Sequence, residues 1–248
     1  MTPAPHPLRI VADAIALEPL VLDAQAFCSP LPVQHYGTVY EDAAIGLAVG
    51  IWDTTTMQEA FGPYPGDEFI TVLDGRFAMV DAMGGPLVAA HAGDSVTFRS
   101  GVPSSWKQTG YLRKVYLTLH APDSATPAIS ATGGGFCVLE PGDLPQGSPD
   151  ADGATRAVIF RNDAGTMTVT LCSFPAMKLP PATGPCHQLI RVLCGEVALS
   201  GALAPVETFG PNDHVFLPKG TTCAMAMAAG TVAIFVNVTT GPTIAGIV

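Results

Sequence analysis

Positive charge is scarce in this chain: 11 Lys and Arg stand against 21 Asp and Glu, a formal net charge of −10. The basic residues are scattered, so no stripe exists to neutralise a phosphate backbone, and nucleic acid is a poor partner. Long apolar runs are missing too. The longest candidate, 224–238, is broken by Gly230 and Thr231. It falls short of the about 18 residues that a spanning helix needs and reads as two strands, so no membrane partner is expected. The N-terminus lacks a basic start with a compact apolar core and cleavage site, so no secretion signal is expected. The six cysteines, Cys28, Cys137, Cys172, Cys186, Cys194 and Cys223, include no CxxC pair. Reduced thiols in a cytoplasmic protein are the expectation. Room for long helices is lacking as well, because 26 Gly and 23 Pro interrupt the sequence. That punctuation favours many short strands joined by turns.

What is present is apolar: 48% of the 248 residues are hydrophobic and only 13% charged. This is enough to bury one large core or two of ordinary size. Residues 1–35 are Pro-rich and read as an N-terminal arm or edge strand. A β-region spans 36–120. In it Leu47, Val49 and Ile51 alternate with small residues, the period of a strand. Phe69–Leu73, Phe77–Val80, Ser95–Phe98 and Val115–Leu119 continue the pattern, with turn chemistry at Asp74-Gly75, Gly84-Gly85 and Gly93-Asp94. Residues 121–153, rich in Pro, Gly, Ser and Asp, read as a linker with a short ordered piece at Phe136–Leu139. A second β-region spans 154–248.

The two β-regions repeat each other. Leu47, Val49 and Ile51 correspond to Met167, Val169 and Leu171 at an offset of 120, as do Glu68 and Gly75 to Gln188 and Gly195. Asp94 and Gly101 correspond to Asp213 and Gly220 at 119. Two tandem copies of one all-β unit is the economical reading.

The spacing from Glu68 to Gly75, and from Gly93-Asp94 to Gly101, resembles the two motifs of the cupin superfamily. The first copy is similar to its ethanolamine-utilisation subgroup through Trp52, Asp67-Glu68, Asp74-Gly75, Gly93-Asp94, Ser105-Trp106 and Arg113-Lys114-Val115-Tyr116. The resemblance implies an all-β fold of two tandem cupin barrels of the jelly-roll type, and a homodimer. It also implies a metal (iron, manganese, nickel or zinc) held by three His and one Glu. Of those ligands the first copy keeps only Glu68. The His positions fall on Gly62 and Tyr64, or on Phe61 and Pro63, and on Ser104. In the second copy they fall on Ala182, Gly184 and Cys223, with Gln188 for the Glu. No cofactor is therefore expected; a divalent transition metal is the alternative, on Glu68 or on a relocated site of Cys186, His187 and Cys223. Against the relocated site, His187 and Gln188 are adjacent in a strand and should face opposite ways.

What remains is a metal-free pocket in the first barrel. Tyr64, Glu68, Trp106, Arg113, Lys114 and Tyr116 are the candidates to line or rim it, with Glu68 the candidate general acid or base. The bland alternative makes Trp106 core packing and Arg113 with Lys114 an exposed charge pair. The leading expectation is a bicupin that binds a small polar or carbohydrate-like metabolite. One rival is a metal-dependent dioxygenase or lyase with non-standard ligands. Another is a metal-free isomerase or hydrolase working through Glu68. A third is a structural or regulatory protein whose second barrel serves only dimerisation and stability. The substrate itself is not readable, because fold does not fix function.

Overall fold

Chains punctuated so often by Gly and Pro form short strands, and the computed structural model contains little else. It describes residues 4–120, 135–201 and 205–241, with two single-turn 3-10 helices at Ala12–Ala14 and Ala24–Ala26. Two compact units result. One runs Ala12–Pro141; the other joins the segment ending at Val11 to the part starting at Gly142.

In the Ala12–Pro141 unit, a seven-stranded sheet runs in the order Phe136–Leu139, Ser95–Phe98, Asp67–Asp74, Leu112–Leu119, Leu47–Thr54, Gln34–Asp42, Glu18–Pro19. It faces a smaller sheet built from Met57–Gln58, Pro103–Gln108, Arg76–Val80 and Pro86–His91, with Gly62–Pro63 beside Pro103–Gln108. Between the two lies one core: Ile70, Val72, Val96 and Tyr116 from the first sheet meet Met57, Phe77, Met79 and Trp106 from the second. Two sheets sharing such a core form the jelly-roll barrel.

The other unit repeats this plan. Its large sheet runs Leu8–Ile10, His214–Leu217, His187–Cys194, Thr231–Val238, Met167–Phe174, Thr155–Arg161, and its small sheet Met177–Thr183, Thr222–Met227, Val197–Gly201, Glu207–Phe209. The offsets of 120 and 119 carry strand onto strand and preserve their order. Local geometry repeats as well. Gly75 and Gly195 turn with φ of 83° and 73°, and a Cβ there would lie 2.3 Å from Tyr111 O and 2.7 Å from Thr231 Cα respectively. Only glycine fits such a turn without strain.

The units divide the chain differently from the expected boundaries at 35 and 153. Glu18–Pro19, in the expected arm, pairs with His35 and Tyr36 in the first barrel. Phe136–Leu139, the expected ordered piece of the linker, pairs with Ser95–Phe98 and completes the same barrel. Leu8–Ile10, also in the expected arm, pairs with His214–Leu217 in the second barrel. The physical reason is shared. Ser95–Phe98 and His214–Leu217 would otherwise be open edges, and a short strand from outside the repeat covers each. The remainder of the expected linker, 121–134, lies outside the described residues.

Candidate functional site

Strand alternation builds the first barrel's polar centre. Leu112–Leu119 lies between Asp67–Asp74 and Leu47–Thr54, with Thr118 opposite Glu68 and Lys114 opposite Trp52. Every second residue shares a face, so Glu68, Lys114, Tyr116 and Trp52 point to one side. Tyr116 has room because Gly50 sits across from it. A Cβ on Gly50 would lie 2.8 Å from the Tyr116 hydroxyl and 2.1 Å from Gly37 O.

At this centre Lys114 Nζ donates to Glu68 Oε1 at 2.8 Å, and the Tyr64 hydroxyl donates to Glu68 Oε2. Glu68, Lys114 and Tyr64 are each only 7% exposed. Lys114 Nζ also stands 4.9 Å from the ring centroids of both Trp52 and Trp106, which meet edge to face at 6.1 Å. The ammonium is thus held by one carboxylate and two aromatic faces. Trp106 is itself fixed by stacking on Phe77 at 3.9 Å and by donating Nε1–H to Gln108 Oε1 at 3.0 Å.

A second acid completes the group. Glu59 follows the two-residue strand Met57–Gln58; its N–H donates to Trp106 O at 2.9 Å, and its carbonyl accepts the Ser105 hydroxyl at 2.6 Å. Burial pushes its carboxyl up to about 7, the negative charge of Glu68 adds to this, and the Lys114 ammonium opposes it. The Tyr64 phenol is held well above its ordinary value by burial first and then by Glu68, so it stays protonated as a donor. Burial and Glu68 also raise Tyr116, against an opposing hydrogen bond with Thr38. A cavity of about 540 Å³ opens over these groups. Glu59, Glu68, Lys114, Trp52 and Tyr116 form its floor and walls, joined by Gln34, Tyr36, Glu41 and His120.

Of the residues singled out from sequence, the structure brings together Tyr64, Glu68, Trp106, Lys114 and Tyr116. Trp106 packs the core, where its face meets Lys114; like Tyr64, it stands behind the cavity rather than among the residues that line it. Arg113 is a correction. Adjacent to Lys114 on a strand, it faces the other way and binds Asp13 Oδ1 and Ala12 O, each at 2.7 Å, so it does not line the cavity. Nor is Lys114 half of an exposed pair. Sequence reasoning missed Glu59, which no motif marks, and did not single out His120, which also lines the cavity.

The metal that the resemblance implies does not fit the first barrel's donors. Both oxygens of Glu68 are engaged, one by a resident cation. Tyr64, at a His position, is spent on Glu68; Gly62 has no side chain; and Ser104 donates to Val102 O at 3.3 Å. The relocated set in the second barrel does not converge. Cys186 and Cys223 line a cavity, but His187 is directed elsewhere, accepting the Lys219 N–H at 3.2 Å and stacking on Phe216. Burial raises both thiols, away from the thiolate that a metal requires. Among the described residues no cluster of three or more His, Cys, Asp or Glu is placed to hold a metal ion. Among them, too, no helix is long and apolar enough to cross a membrane.

Two tandem jelly-roll barrels with this strand order are a fold of the cupin-like kind. Residues 46–116 match the family model of the EutQ-like cupin domain. The whole fold is similar to that of a protein of unknown function from Pseudomonas syringae pv. tomato, with 20% identity, a TM-score of 0.70, and coverage of 95% of this chain and 100% of that one. It is also similar to a protein from Nostoc punctiforme provisionally described as a dioxygenase, with 12% identity, a TM-score of 0.65, and coverage of 98% and 86%. A third similar structure is that of Escherichia coli Ylba, with 10% identity, a TM-score of 0.58, and coverage of 96% and 93%. At these identities the likeness concerns the fold alone. No curated protein sequence matches the chain significantly.

Proposed function

We propose that the first barrel binds a small polar, carbohydrate-like metabolite without a metal ion. The observation that carries this reading is the Glu68–Lys114 ion pair, backed by Tyr64 and opening with Glu59 onto a cavity of about 540 Å³. Carboxylates accept hydrogen bonds from ligand hydroxyls, the ammonium donates, and the faces of Trp52, Tyr36 and Tyr116 suit the apolar C–H faces of a sugar-sized molecule. Thermal-shift screening of the full chain against sugars, organic acids and ureido compounds tests it. A ligand at 100 times its Kd stabilises by about 2.7 kcal/mol. The expected result is a compound that raises the melting temperature of the wild type and not of Glu68→Gln. The reading fails if no compound does so, or if both proteins respond alike.

Glu59 favours a second reading, metal-free acid–base catalysis such as isomerisation or hydrolysis. A carboxyl pushed to about 7 populates both protonation states near neutrality. Glu59, rather than Glu68, is then the proton-transfer group, because both oxygens of Glu68 are already engaged. Turnover of a ligand found in the screen should show an inflection near pH 7 that Glu59→Gln abolishes. A profile unchanged in that variant overturns the assignment.

A further inference from the structure

The second barrel reproduces the first strand for strand but exchanges every group at its polar centre. At the repeat offsets Glu68 becomes Gln188, Lys114 becomes Ala233, Glu59 becomes Leu179 and Tyr64 becomes Gly184. Trp52, Trp106 and Tyr116 become Cys172, Met225 and Phe235. The exchange leaves a cavity rather than filling one. About 340 Å³ remains beside Leu179, Cys186, Gln188, Leu217, Cys223 and Met225, and none of the described residues lining it is charged.

The hydroxyls of Thr183 and Thr221 at its lining are engaged with Thr222 and Pro218 O, and one side-chain amide is held in place there. Gln188 Nε2 donates to Asn237 Oδ1 at 2.8 Å, across the strand pair that places Thr118 opposite Glu68 in the first barrel. The bond fixes the amide plane and leaves Gln188 a second N–H and its carbonyl oxygen. Cys186 Sγ–H leans on the same Asn237 oxygen at 3.8 Å. None of the described lining residues is charged, and the cation that acts on Cys186, Lys219, is exposed to solvent, so a charged ligand would be desolvated at a cost that a neutral one avoids. A volume above 300 Å³, apolar walls and one fixed amide are the ordinary make-up of a small-molecule site.

From this exchange of a charged centre for a single fixed amide, we infer that the second barrel binds a neutral, mainly apolar small molecule, with one N–H, carbonyl or hydroxyl group bonded to Gln188. The site is independent of the one in the first barrel.

N-phenyl-1-naphthylamine, an uncharged fluorophore carrying one N–H, is the probe. Its emission should rise on titration into the full chain and saturate at one probe per chain. Cys223→Phe, which fills the cavity, should weaken binding at least tenfold. Gln188→Leu keeps the volume and removes the anchor, and should weaken it three- to tenfold, the range of about one hydrogen bond. Bound probe should also slow modification of Cys186 and Cys223 by methyl methanethiosulfonate, read by peptide mass spectrometry, while the exposed Cys28 and Cys194 react unchanged. The inference is overturned by absent binding, by binding that protects neither buried thiol, or by affinity unchanged in Gln188→Leu. Should Cys223→Phe fail to fold, Gln188→Leu and the protection pattern still decide.

Discussion

Replacing Lys114 by methionine would leave the Glu68 carboxylate buried with only the Tyr64 hydroxyl for company. Removing one member of a buried ion pair typically costs about 3–5 kcal/mol, because the other charge stays uncompensated. Lys114→Met should therefore lower stability by about that much in denaturant titration, and adding Glu68→Gln should restore most of it. Arg113→Ala, one residue away, should cost less, about 1 kcal/mol, since its partner Asp13 has 90% of its side chain in solvent and can be hydrated when the pair is lost. If the two single variants fall equally, the division of roles along this strand is wrong. The sequence carried part of this. Glu68 was legible from its spacing to Gly75, and Tyr64 and Trp106 from the same stretch. Arg113 and Lys114 could not be told apart, because a one-residue change of register exchanges the two faces of a strand. Glu59 was invisible. It reaches the site through the pairing of Met57–Gln58 with Pro103–Gln108, a long-range contact that leaves no local pattern.

At the scale of elements, most strands follow from alternation and turn chemistry. Ser95–Phe98 falls where the pattern put it, and the run 224–238 divides at Gly230 into the end of Thr222–Met227 and the whole of Thr231–Val238. The pairing of the edge strands does not follow, because two to four residues are too few to show a period and their partners are distant in sequence. Leu8–Ile10 is the clearest case. Arg9 ties it down, its guanidinium 4.0 Å from the Phe209 ring centroid and 3.1 Å from Asp213. Deleting residues 1–11 should therefore expose the His214–Leu217 edge and make the second barrel the first to be cut in limited proteolysis, with the Ala12–Pro141 unit persisting. Equal lability of both barrels would contradict the assignment of this strand.

For the whole molecule, the repeat was the most legible property and the resting place of its charges the least. His214 illustrates this. No motif singles it out, yet it is 2% exposed and directly opposite Arg191, itself 1% exposed. Burial first, and the Arg191 charge second, lower its pKa to about 3. The unfolded chain takes up that proton near pH 6.5, so the stabilisation is complete above that value and is lost as pH falls toward 3. At pH 5 the loss is about 2 kcal/mol. Chemical denaturation at pH 7 and pH 5 should show that difference in the wild type and a smaller one in His214→Gln; equal differences would refute it.

The path of the chain has a consequence for its synthesis. Leu8–Ile10 leaves the ribosome long before its partner strand His214–Leu217 exists, and the whole Ala12–Pro141 barrel can close in the interval. Until then a short apolar strand must wait without its acceptor edge. When that edge finally emerges, the waiting strand of a neighbouring nascent chain offers the same hydrogen bonds as the chain's own. Crowded polysomes would thus favour exchanged arms, and dilution would favour self-closure.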